Sequence, residues 1–386
     1  MEDDRGAPLF PEPQKRHRIH RGLVTERQEH IFTWVAVVVV LLYVTGWIAT
    51  LVEIQRMRDT PVPVAGGTHQ EPAVPPPTPV QAIANSPLVP SLPKPAMLTD
   101  AMLGFLHPLR GLSGDLRYAP ALPGSKLLQT VPGGARAVIR GAGPADFMAP
   151  KQPGIYEFSV ELDGARREIE DVSIVTLVPR SAKKGGRIGP YRLGSWPFEG
   201  GGRPKTPRYT APAGFIQVTP QNQDFRVSEH FRLRQFLTKD QQSVWPKYLL
   251  LDPLLIDKLE LTVQELQKEG VRVEHVHVMS GFRTPRYNAG GGNTAGRANL
   301  SRHMYGDGAD VYVDNNRDGY PDDITGDGRV TVRDAEKFAA AAERVEKNHR
   351  SLVGGIGIYV ACCGHGPFTH VDVRGYRARW RGTGNG

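Results

Sequence analysis

Cysteine is nearly absent from the chain: there are two in 386 residues, adjacent at Cys362 and Cys363. Neighbouring cysteines rarely close an unstrained bridge, so no disulfide framework is expected. The pair reads as two small packed side chains rather than as metal ligands. Phosphate-cradling loops are lacking too. Gly290-Gly-Gly292 leads into neither Gly-Lys-Ser nor a Rossmann spacing, and a mobile substrate loop is the better reading. No triad pattern surrounds Ser301, which speaks against a serine nucleophile there. Acidic excess is missing as well: 48 Lys and Arg stand against 40 Asp and Glu, a net charge of +8. That balance permits an anionic partner, whether nucleic acid, phospholipid or wall polymer, and composition alone does not choose among them.

The chain divides by texture. Residues 1–30 are polar, with Lys15, Arg16, Arg18, Arg21 and Arg27 clustered toward their carboxy-terminal end. Residues 31–53 hold an almost wholly apolar run, Ile31 to Val52, whose twenty-two residues match a hydrocarbon core about 30 Å thick. The run reads as a retained membrane anchor, and Trp34 and Trp47 suit its two interfaces. Five cations before it, against Arg56 and Arg58 after it, place the amino terminus in the cytoplasm and the rest outside the cell. A nucleic-acid partner is therefore not expected. Residues 54–97 form a linker, with eleven prolines between 61 and 95, that stays extended as a semi-rigid spacer.

Beyond the spacer the pattern turns to β. Tyr156, Phe158, Val160 and Leu162 alternate with polar residues, Asp163-Gly164 supplies a reversal, and Val172, Ile174, Thr176 and Val178 alternate again. Residues 98–182 read as a small all-β domain, a sandwich or barrel, with a wall-binding or spacer role. Residues 183–226 are rich in Gly, Pro and basic residues, with Tyr191, Trp196 and Phe198 interleaved, and read as a connector that docks or contacts glycan.

From 227 to 381 helical and strand signals mix. Asp252-Pro253 is a cap and first turn, Leu255, Leu259, Val263 and Leu266 share one helical face, and Gly270 stops the helix. Val271 to Val278 alternates as a strand that delivers Ser280-Gly-Phe-Arg283 to its end. Then comes Ser301-Arg-His-Met-Tyr-Gly-Asp-Gly-Ala-Asp310, with His303 and Asp310 seven apart on a turn that runs into the strand 309–313. A borderline cation such as zinc takes one or two imidazoles and a carboxylate from such a scaffold. A third ligand would come from Phe368-Thr-His-Val-Asp372.

These blocks carry a family resemblance. Ser280-Gly-Phe-Arg-Thr-Pro285 with Asn288, then Ser301-x-His303-x-x-Gly306-x-x-x-Asp310, then Gly364-His-Gly-Pro-Phe-Thr-His-Val-Asp-Val373, resemble the zinc D-Ala-D-Ala carboxypeptidases. That family shares a fold with lysostaphin-type peptidases and the hedgehog amino-terminal domain. The resemblance implies an α+β domain over residues 227–381. It puts His303, Asp310 and His370 on zinc, with a water in the open position acidified by the ion. It gives Arg283 the developing oxyanion or the substrate carboxylate. Asp372 and His365 are the candidate bases. Several relatives carry an acid three residues before the last ligand, where this chain has Pro367. Others use His-x-His with the second histidine as ligand, which would put Asp372 on the metal.

A second metal-like signal is the insertion 314–334. Asp314, Asn316 and Asp318 precede Asp323, Thr325, Asp327 and Asp334, which are spaced as in a twelve-residue calcium loop. A structural Ca2+ is one reading, and an Asx-rich turn capping the Ala-rich helix after Thr331 is the other. The function expected of the whole is a membrane-anchored extracytoplasmic zinc peptidase acting on peptidoglycan stem peptides or cross-links. The rival expectation is a non-catalytic wall-binding or scaffold protein that retains the fold and metal.

Overall fold

The computed structural model describes residues 97–383, except 142, 205, 291–296 and 363. The expected polar tail, membrane span and Pro-rich spacer lie outside the described residues, as does most of the glycine-rich loop. Among the described residues, no helix is long and apolar enough to cross a membrane. The described chain is mixed α and β, with four small sheets and few helices.

The first sheet is built from β1 (Tyr118–Ala121), β2 (Arg136–Ile139), β3 (Gly143–Ala145), β4 (Gly154–Leu162) and β5 (Ala165–Thr176), in the order β1-β5-β4-β2-β3. Asp163 and Gly164, at φ of 53° and 80°, make the expected β4–β5 reversal. The expected sandwich or barrel is instead a single sheet. Its apolar face, with Phe158, Val160 and Ile174, is closed by Leu106 and Leu109 from the turn Gly104–Leu109, by Leu103 just before it and by Phe147. A short segment ahead of the sheet thus does the work of a second layer.

Residues 183–226 are not a surface connector. They supply β7 (Arg187–Ile188), β8 (Tyr191–Arg192) and β9 (Gly214–Val218), the last pairing with β6 (Val178–Pro179) on one side and β10 (Lys247–Leu249) on the other. Tyr191, Leu193, Trp196 and Phe215 are buried in the main core. The aromatic residues Tyr191 and Trp196, expected to face glycan, pack inward. Their period was hidden because each packs against distant chain rather than against its own neighbours.

The third sheet, β11 (Val276–Ser280), β12 (Gly308–Val313), β13 (Gly355–Tyr359), β14 (Phe368–Asp372) and β15 (Ala378–Gly382), has the order β11-β12-β14-β13-β15. Two helices cover one of its faces. Helix α1 (Pro253–Lys268) begins where the sequence puts it: the Asp252 side chain accepts the Leu254 N–H at 3.0 Å, Pro253 takes the first position, and Gly270 lies beyond the end at φ 79°. The short α2 (Pro285–Gly290) follows β11, and α3 (Val332–Asn348) starts on a capping box between Thr331 and Asp334. Val311 and Val371, alternating with the site residues, face the helix side, where Thr369 Oγ1 donates to Ala335 O of α3 at 2.8 Å. Lys258 of α1 is fully buried. It donates to Glu346 Oε1 of α3 and to Asp372 O at the end of β14, both at 2.7 Å, and so ties both helices to the strand that carries the site.

Candidate metal centre

The opposite face of this sheet carries one row of cross-strand partners. Ser280 stands opposite Asp310, Asp310 opposite His370, His370 opposite Gly357, and Gly357 opposite Trp380. Partners in register project to the same side of a sheet. A carboxylate and an imidazole from segments sixty residues apart are thereby neighbours, with His370 Nδ1 2.8 Å from Asp310 Oδ1. Gly308, two positions from Asp310, lies against the His370 ring, and a Cβ there would stand 3.3 Å from His370 Cε1. Gly357 is bare for a similar reason: a Cβ would run into the Trp380 indole, whose centroid lies 5.2 Å from that of His370.

His303 comes from the turn Arg302–Tyr305, which ends at Gly306 with φ 70°. Leu250 leaves no room for a Cβ at Gly306, so that position is restricted to glycine by conformation and by space. The turn is held from several directions. Arg302 is buried in an ion pair with Asp307 and is stacked between Tyr209 and Tyr305, 4.6 Å from each ring centre. Trp196 Nε1 donates to Met304 O at 2.7 Å, and the Arg283 N–H to His303 O at 3.1 Å. His303 Nδ1 donates to Gly281 O at 2.7 Å, which turns Nε2 toward Asp310 Oδ2, 3.3 Å away. Fixing the tautomer by a backbone carbonyl leaves the other nitrogen as a lone-pair donor.

Among the described residues, His303, Asp310 and His370 are the group of His, Cys, Asp or Glu side chains that could hold a metal ion, with ligand atoms all within 4.8 Å of one another. All three are buried. Two imidazole nitrogens and one carboxylate fit a borderline divalent cation with a position left for water. Charges respond to the crowding. Burial, helped by the Arg283 guanidinium, pushes His303 below the ordinary imidazole range. Burial alone would raise Asp310, but the two imidazoles outweigh it and hold the carboxyl well below its usual range. Burial likewise opposes charge on His370, and its hydrogen bonds to Asp310 and Asp372 outweigh that and raise it.

Arg283 reaches the same carboxylate, with one terminal nitrogen 3.1 Å from Asp310 Oδ2 and Nε donating to Ser280 Oγ at 2.9 Å. Asp372 points to the same face as His370, as its spacing in β14 requires, but it lies on the far edge of that ring: its Oδ2 is 3.0 Å from His370 Nε2, whereas Asp310 sits at Nδ1. Asp372 is fully buried, and its oxygens also accept from the Gly355 N–H at 2.7 Å and from Arg374. Neither the expected base role nor the alternative ligand role fits that position. An imidazole separates this carboxylate from Asp310, and its acceptor capacity is spent. His365, Arg283 and Tyr359 line the same cavity as His303, Asp310 and His370, and the His365 ring centre stands 5.2 Å from that of Phe368. This cavity measures about 730 Å³.

Arg374, Tyr359 and Trp380 are site residues that sequence reasoning did not single out. For Arg374 a signal existed, since in Asp372-x-Arg374 a strand spacing puts both side chains on one face. The calcium expectation has no such convergence. Asp314 accepts from the N–H groups of Asp318 and Gly319, while Asp323 accepts from Gly326, Asp327 and Gly328. Asp334 caps α3 and closes its own loop through Ile324 and Thr325, and Asn316 and Asp318 bond each other. Thr325 bonds Asp323, and Asp327 bonds the Arg329 N–H. These are turns closed by their own carboxylates. Cys362 is disulfide-bonded rather than a packed thiol, and Cys363 lies outside the described residues. Comparisons of the chain with family models, with curated proteins and with solved structures found no match.

Proposed function

We propose that this chain is a zinc-dependent peptidase of the D-Ala-D-Ala carboxypeptidase kind, cutting peptidoglycan stem peptides or cross-links from a membrane-anchored, extracytoplasmic position. The single observation that carries the reading is the meeting of His303, Asp310 and His370 behind an open cavity that also holds Arg283 and His365. Zinc, when bound there, supplies an acidified water and polarises a carbonyl. The remaining work belongs to this chain's own side chains. Arg283, anchored by Ser280 and Asp310, presents its guanidinium to the carbonyl oxygen as that oxygen gains charge. Asp372, clamped by Arg374, holds the His370 ring by Nε2 and keeps Nδ1 turned toward Asp310. His365, in the cavity wall, takes the proton from water and passes it to the departing amine.

Mass spectrometry of purified muropeptides incubated with the zinc-loaded protein tests this reading. Loss of terminal D-Ala or cleavage of a cross-link is expected. Turnover that persists undiminished in His303→Ala and in His370→Ala would end it. Tight wall binding with no cleavage would leave the scaffold reading in its place.

A further inference from the structure

A second groove, of about 760 Å³, runs beside the metal cavity along β11, the edge strand of the third sheet. Its wall is cationic, and the charges are not equally engaged. Arg226 and Arg234 are paired with Glu229 and Asp224. The groove's two carboxylates are also spoken for, Glu229 by Arg117 and Arg226, and Glu274 by Arg272. Arg232, Lys239 and Arg317 have no carboxylate partner among the described residues, and Lys239 and Arg317 are exposed. Lys239 also lines the metal cavity, so one ammonium belongs to both hollows. Within the metal cavity the only carboxylate in the wall, among the described residues, is Asp310, which is already engaged by His303, His370 and Arg283. The two spaces meet at Lys239 and form a trough in which Arg283, Arg302 and Arg374 are paired with carboxylates, while, among the described residues, Arg232, Lys239 and Arg317 are not.

We propose that this trough holds an acidic peptide. One of its carboxylates sits at Lys239, and further carboxylates lie along Arg232 and Arg317 while the scissile bond reaches the cavity. The proposal rests on the peptidase reading and deepens it, because it names the substrate as one carrying several free carboxylates on one side of the bond. Cations that would otherwise stay solvated steer such a peptide into one direction. Lys239 and Arg317 are exposed and Arg232 is half-buried with one nitrogen already donating to Asp224 O, so each contact contributes modestly, and three removed together weaken binding by about five- to tenfold.

The test is equilibrium binding, by fluorescence anisotropy, of a labelled wall stem pentapeptide with free carboxylates and of the same peptide with its carboxylates amidated. Both are titrated with the full chain and with the triple variant Arg232→Gln, Lys239→Gln, Arg317→Gln. The free peptide is expected to bind wild type about five- to tenfold more tightly than the variant, with an affinity that falls as salt rises. The amidated peptide is expected to bind both alike. Equal binding of the free peptide by wild type and variant overturns the proposal, and so does equal affinity of wild type for the two peptides. Oligonucleotides that bind wild type more tightly than the free peptide also overturn it, in favour of a phosphate polymer. Charge-dependent binding without cleavage keeps the trough and removes the hydrolysis, whereas cleavage without charge dependence does the reverse.

Discussion

At the scale of single residues, the centre depends on which edge of an imidazole each neighbour occupies. His303 gives Nδ1 to a backbone carbonyl and His370 gives Nε2 to Asp372, so each ring is left with one nitrogen facing Asp310. Partners of this kind fix ring orientation and ligand basicity, and their removal typically costs about 10–100-fold in metal affinity. Asp372→Asn is therefore expected to weaken zinc binding within that range, with turnover regained when zinc is raised, as competition against a chelating dye would measure. A true general base would behave otherwise: turnover would fall at saturating zinc with metal affinity intact. The meeting of His303, Asp310 and His370 was legible because their residue types and intervals resemble a known pattern. The role of Asp372 was not, since strand spacing sets the side on which it lies but not which edge of the next ring it meets.

At the scale of elements, helix α1 was the most readable piece, with cap, first-turn proline, apolar face and terminal glycine all in agreement. Its buried polar residues were not readable, because their partners lie far along the chain. Lys258 is one of them, and Lys258→Met strips a buried cation from Glu346 and leaves the Asp372 carbonyl without that donor. Loss of one partner from a buried pair costs about 3–5 kcal/mol, and the remaining Arg379 contact to Glu346 puts this case near about 3 kcal/mol in denaturant unfolding. Glu260 is another. It sits fully buried on α1, accepts from the His230 backbone N–H at 2.9 Å and lies 2.7 Å from the His230 ring. That hydrogen bond, against the opposing effect of burial, raises the His230 pKa above its ordinary value. A raised folded-state value means stability that is fully present below the unfolded pKa of about 6.5 and lost as pH rises through the folded one. The gap in melting temperature between wild type and His230→Gln should be widest at about pH 6 and should narrow toward higher pH. A gap that widens with pH would contradict the assignment.

At the scale of the whole molecule, parts that read as accessories are built into the support of the site. Trp196 and Tyr209, from the stretch that composition marks as a connector, hold the turn bearing His303 through Met304 and Arg302. Composition hid this, since Gly, Pro and basic residues dominate locally while the few aromatic side chains decide where the stretch packs. The same limit applies to the calcium-like insertion, where loop spacing matches metal loops and Asx turns equally well. On the proposed reading, three side chains far apart in the chain share one ion. Its most direct test is zinc content per folded chain, measured by inductively coupled plasma mass spectrometry after exhaustive dialysis, for wild type and for the double variant His303→Ala, His370→Ala with circular dichroism matched between them. One zinc per wild-type chain and less than about a tenth of that in the variant is the predicted result. Equal zinc in both, or none in either, would contradict it.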